Sequence, residues 1–185
     1  KMTEEQYKKL IREAILEIEE LFKSQPNIFL TEDDVRCLLF QQLISRIRPI
    51  KLDSGDYSSF VHSEVRWYGK GGDMHKRSDI VVIDATNIRV KADGLPLPTK
   101  GYGFNNFYAA IEIKLRRVGG ESDNVWLKKI SKDVNTLLSL RHEAVNAYNP
   151  LLIVIAFDKK SEITEKMKHD YPNVEIIYKS NIKDL

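Results

Sequence analysis

The chain has one cysteine, Cys37, in 185 residues. That excludes an internal disulfide and any zinc site built from several thiolates. No apolar run approaches the roughly 20 residues that a membrane-spanning helix needs, and the first residues do not form a signal-peptide pattern. The chain therefore reads as cytoplasmic, with no membrane partner. The glycine-rich run Gly69-Lys-Gly-Gly-Asp-Met-His-Lys-Arg77 lacks the Gly-Lys-Ser/Thr ending of a nucleotide P-loop. A large excess of one charge is missing too. With a net charge of +2, any nucleic-acid surface would have to come from local clustering of basic residues. There is no internal repeat, low-complexity tract or linker. The rest is ordinary globular composition over residues 1–185, long enough for a single domain with a substantial core.

Against that plain background one stretch stands out. Phe107 to Leu115 (Phe-Tyr-Ala-Ala-Ile-Glu-Ile-Lys-Leu) would be an apolar strand except that Glu112 and Lys114 interrupt it. Side chains alternate along a strand, so Ala110, Glu112 and Lys114 share one face while Ile111, Ile113 and Leu115 line the other. Upstream, Lys76 to Ile83 repeats the pattern, with Asp79, Val81 and Ile83 on one face and Ile80 and Val82 on the other. Two strands of buried character each deliver an acid to one face, and one of them adds a lysine. Buried charge is costly unless it is paired or holds a metal.

The other elements frame this pair. Residues 1–23 hold an amphipathic helix, with Tyr7, Leu10, Ile11, Ala14, Ile15, Ile18, Leu21 and Phe22 at helical spacing, suited to packing or to the seam of a homodimer or larger complex. A second helix starts at Thr31, with Asp34 at the capping-box position. Its apolar face is Val35, Leu39, Leu43 and Ile47, and Glu32 lies near the middle of that face, aimed at the core. A first-turn acid also favours a helix N-terminus. Residues 51–59 read as polar and turn-like. Phe60 to Tyr68 reads as an edge or active-face strand, its faces being Phe60, His62, Glu64, Arg66 and Val61, Ser63, Val65, Trp67. The loop at 69–77 is basic, and its His75 is weak evidence for a ligand or a base. Residues 85–106 read as a long loop with strand content near Ile88 to Val90. A helix around Trp126, Leu127, Ile130, Val134, Leu137 and Leu138 follows, with Lys128, Lys129, Lys132 and Asp133 on its polar sides. Leu151 to Phe157 suits a central strand, Ser161 to His169 a short helix, and Val174 to Tyr178 a last strand. The order, α-α-β-β-β-α-β-α-β, implies an α/β fold with mixed strand pairing.

Asp/Glu-x-Lys occurs twice, at Glu112-Ile-Lys114 and Asp158-Lys-Lys160. The second falls at a strand end among lysines and reads as a loop. The first lies within a strand, follows a strand bearing Asp79 and is preceded by a helix carrying Glu32. From Thr31 to Phe157 this arrangement resembles the PD-(D/E)xK, or restriction-endonuclease-like, nuclease superfamily. The resemblance implies a mixed central β-sheet flanked by helices. It makes Asp79 the motif aspartate, Glu112 the second acid, Lys114 the lysine and Glu32 the helix acid, with Glu64 as an additional metal ligand. Ser78 stands where many members have proline.

The function implied is metal-dependent hydrolysis of DNA. Asp79 and Glu112 would hold Mg²⁺ or Mn²⁺, which would polarise a phosphodiester and activate water. Lys114 would be catalytic, stabilising charge on the phosphate, and Glu32 would assist through a water on the metal. Lys76, Arg77, Arg116, Arg117, Lys128, Lys129 and Lys132 would track the backbone of the nucleic acid. Two other readings accommodate the same residues. One is a nuclease fold that binds nucleic acid or protein without cutting. The other is an assembly protein whose first helix drives oligomerisation, with Lys114 merely neutralising Glu112 and Asp79.

Overall fold

The computed structural model describes residues 2–67, 76–88, 105–144, 146–163 and 171–182. Its helices are α1 (Glu4–Ser24), α2 (Glu32–Arg46) and α3 (Asp123–Glu143), and its strands are β1 (Ile50–Lys51), β2 (Tyr57–Ser58), β3 (Val61–Trp67), β4 (Lys76–Ile83), β5 (Phe107–Arg116), β6 (Leu151–Asp158) and β7 (Glu175–Ser180). The main sheet runs β3-β4-β5-β6-β7. The β3–β4 and β4–β5 pairs are antiparallel, whereas β5–β6 and β6–β7 are parallel. The architecture is thus α/β with a mixed sheet flanked by helices, as the order of elements implies.

Each helix begins where a side chain can satisfy its free N–H groups. Thr3 and Gln6 form a reciprocal capping box on α1, as Thr31 and Asp34 do on α2. Ser122 caps α3. The α1 stripe (Tyr7, Ile11, Ala14, Ile15, Ile18, Phe22) and the α2 stripe (Val35, Leu39, Leu43) are buried against Ile80, Val82, Ile111 and Ile113 on one face of the sheet. On the opposite face, Trp126, Ile130, Val134 and Leu137 of α3 bury Val81, Ile83, Ala110 and Val154. The two predicted faces of β4 and β5 therefore carry two separate cores. The apolar stripe of α1 lies in the chain's own core.

Several segments depart from expectation. Residues 51–59 include a short hairpin, β1 paired with β2. In β3, Val61 joins the α1/α2 core while Val65 and Trp67 join the α3 core, although simple alternation places all three on one face. The cause is Glu64, whose φ of 58° is left-handed and turns the strand over. Ile88 is not in a strand, and residues 161–163 are not helical. The expectations for residues 69–75, including His75, for 89–104 and for 164–169 fall outside the described residues.

Candidate active site

The β4–β5 ladder runs from Ile83↔Phe107 to Ile80↔Ile111, and side chains take over beyond that point. Asp79 Oδ2 accepts the backbone N–H of Ile113 at 2.8 Å. Glu32 Oε1, from the first turn of α2, accepts the N–H of Leu115 at 3.4 Å. Two donors that a neighbouring strand would have satisfied are thus met by two acids, which draws both toward β5.

Glu112 and Lys114 lie on the α3 side of β5. Glu112 is 6% exposed, and its Oε1 is buried without a hydrogen-bond partner. Burial, reinforced by the charges of Asp79 and Asp133, pushes its carboxyl up to about 9. Lys114 Nζ stands 3.0 Å from Asp133 Oδ2 on α3 and 3.9 Å from Glu32 Oε2, and it donates to the Ile113 carbonyl at 3.2 Å. Burial alone would lower the lysine. The charges of Asp133 and Glu32 more than offset this and hold it above its ordinary value, so it stays a cation. Burial raises the carboxyls of Glu32 and Asp133 against the opposing pull of Lys114. Asp79, Glu112, Lys114 and Glu32 are brought together; Asp133 joins them. Its position was readable, because seven residues after Trp126 and three after Ile130 put it beside the buried face of α3.

Ser78 is fully buried, and its hydroxyl accepts the indole N–H of Trp67 at 2.8 Å. The position before the aspartate thus serves to hold β3 on β4.

Two of the expected roles do not survive the geometry. Arg116 is not on a surface that a nucleic acid can reach. It is 0% exposed, forks onto both oxygens of Asp158, bonds Asp123 at 2.7 Å and Ser161 at 2.6 Å, and lies over the Trp126 ring. Asp158 is likewise buried, so the second Asp-x-Lys is no exposed loop; it is the counter-ion of Arg116, and the neighbouring Lys159 donates to the Phe29 carbonyl. Glu64, expected as a metal ligand, has both oxygens taken by guanidinium groups, Oε1 by Arg36 and Oε2 by Arg77 at 2.7 Å. Cations on both sides disfavour a metal ion there.

Lys76 is half-buried, while Arg117, Lys128 and Lys132 are exposed. Arg117 and Lys129 line a cleft of about 570 Å³ that Glu32 and Asp33 also border, and Lys129 pairs with Glu121 at 2.6 Å. The β5–α3 turn that lines this cleft requires glycine at Gly120, where a Cβ would come within 2.8 Å of the Arg117 carbonyl oxygen. On the other side of Glu32 and Asp33, a cavity of about 320 Å³ is bordered by Arg36, Glu64, Arg77 and Asp79.

Among the described residues, no three His, Cys, Asp or Glu side chains form a group ready to hold a metal ion, and no helix is long and apolar enough to cross a membrane. No family model matches the chain, and no curated protein does. Two solved structures are similar over 94% of it. One is NucC of P. aeruginosa ATCC27853 in a cAAA-bound form, at 9% identity and a TM-score of 0.45, with 73% of that chain covered. The other is NucC of E. coli MS115-1, also cAAA-bound, at 11% identity and a TM-score of 0.41, with 72% covered.

Proposed function

We propose that the chain is a metal-dependent nuclease that hydrolyses phosphodiester bonds of DNA, with Asp79 and Glu112 as ligands of Mg²⁺ or Mn²⁺ and Lys114 as the catalytic cation. The observation that carries this reading is the unpartnered Glu112 Oε1, buried beside Asp79 where β4 and β5 part company. A buried carboxyl oxygen with no donor is costly, and a hard dication bound through oxygen atoms, taking the place of the proton, is the partner that this donor set fits. When bound, the metal supplies Lewis-acid polarisation of the phosphodiester and a more acidic attacking water.

The chain's own groups do the rest. The Ile113 N–H holds Asp79 against β5 through one oxygen in the resting protein. Asp133 and Glu32 hold Lys114 protonated, so its ammonium can meet negative charge that grows on the phosphate. Glu32 is half-exposed with its carboxyl raised above the ordinary value by burial, which suits it to accept a proton from water. Arg117, Lys128, Lys129 and Lys132, all exposed, serve as contacts for the backbone of the DNA.

Cleavage of linear, nicked, flapped and single-stranded DNA with Mg²⁺ or Mn²⁺ tests the proposal. Asp79→Ala and Lys114→Ala should each lower the rate by about 10²-fold or more, with folding preserved by circular dichroism. Absence of cutting on every substrate, together with absence of metal binding by calorimetry, would leave a fold that only binds.

A further inference from the structure

We propose that Arg36 and Arg77 form a clamp for one phosphate oxyanion of the nucleic-acid chain, and that the Glu64 carboxylate occupies this clamp until the phosphate displaces it. The inference adds a substrate contact to the nuclease reading and rests on it for the identity of the phosphate's source.

Guanidinium groups recognise carboxylates and phosphates with the same forked geometry. Here two of them converge on a single carboxylate, Arg36 from α2 and Arg77 from β4. Asp33, one turn before Arg36, takes its second terminal nitrogen and so aims the first at Glu64. The three side chains are not sealed in. Those of Arg36 and Glu64 are 24% and 23% exposed, Arg77 is more open still, and all three border the cavity that also holds Asp79 and Glu32. A purely structural pair in this protein looks different: Arg116 and Asp158 are both 0% exposed, and neither borders that cavity.

The backbone gives the second observation. Glu64 has a φ of 58° in the middle of a strand, a conformation that a residue with a Cβ keeps only where its surroundings hold it. Its two ion pairs are part of that restraint, beside the burial of Val65 and Trp67 that follow it. A phosphate entering beside Asp79 would offer both arginines an equivalent partner and release Glu64 to solvent. The exchange leaves the number of ion pairs to the arginines unchanged and places the phosphate next to the candidate metal ligands.

Binding of a fluorescein-labelled oligothymidylate, followed by anisotropy in EDTA, separates this proposal from the nuclease reading because no cleavage is involved. Glu64→Gln should bind about tenfold tighter than the wild type at low salt, since the competing carboxylate is gone. Glu64→Gly should show the same gain, and glycine adopts the positive φ without strain, so a folding defect in the glutamine variant does not obscure the result. Arg77→Ala and Arg36→Ala should each weaken binding, reduce the slope of log affinity against log salt by about one, and cancel the gain from Glu64→Gln in the double variant. An unchanged or weaker affinity in both Glu64 variants overturns the clamp, as does a gain that survives loss of Arg77. A loss of Mn²⁺ affinity in Glu64→Gln by calorimetry overturns it too, because it would make Glu64 a metal ligand. If the clamp behaves as expected while no DNA is ever cut, the nuclease reading fails alone.

Discussion

Glu112 is pushed up to about 9 from an ordinary value of 4.5. Between those values the native protein keeps a proton that the unfolded chain has released, so folding takes one up. Stability therefore falls as pH rises through this window, while below 4.5 both states are protonated and nothing is lost. Glu112→Gln keeps the shape and removes the titration. In metal-free protein it should melt above the wild type near about pH 8, by an amount on the order of a few kcal/mol, or roughly 2–4 °C for each of them. The two proteins should converge at acid pH, and Mn²⁺ should raise the melting temperature of the wild type only. Thermal melts across pH, with EDTA and with Mn²⁺, read all three. Residues of this kind also mark where sequence reading ran out. Glu112 and Lys114 announced themselves as charges inside an apolar strand, and Glu32 by its phase on α2. Arg116 ends the same strand and reads as a contact for nucleic acid, because nothing local shows that Asp158 and Asp123 close over it. Arg36, four residues after Glu32 on α2, carries no local signal, since its partner Glu64 comes from β3, distant in sequence.

Elements were more legible than contacts, because caps and periodicity are local. Thr31 and Asp34 signalled the start of α2, and the capping box is present. The run from Lys76 to Ile83, apolar on both faces from Ile80 onward, marked β4 with its observed ends. β3 was harder, since a left-handed residue in a strand is normally glycine and here it is Glu64; the reversal of its faces has no sequence signal. For α1 the periodicity identified the stripe but not what covers it. With Ile11, Ile18 and Phe22 at 0–1% exposure, and Phe22 stacked on Phe157 at 4.3 Å between ring centroids, the helix belongs to the core. Phe22→Ala should therefore cost about 3–5 kcal/mol, read as a shift of the urea midpoint. Removal of α1 should yield unfolded chain. An assembly role instead predicts a folded monomer after that deletion, which gel filtration and circular dichroism would reveal.

At the scale of the whole molecule, the sheet is held by a core on each face, and the candidate site opens where its two central antiparallel strands stop pairing. Helices from opposite faces reach the same seam, α2 through Glu32 and α3 through Asp133. Neither helix alone contains the site, so its geometry depends on both cores being packed. The two acids that replace a strand along the end of β5 carry a further consequence. The amide protons of Ile113 and Leu115 are shielded from solvent by carboxylates rather than by a neighbouring backbone. Their isotope-exchange rates are therefore a readout of what those carboxylates are doing. A dication that draws Asp79 or Glu32 away should make these two amides exchange faster, while the β5 amides that face β6 stay slow. The resting protein thus carries its own occupancy gauge, legible by residue-resolved exchange with no substrate in the tube.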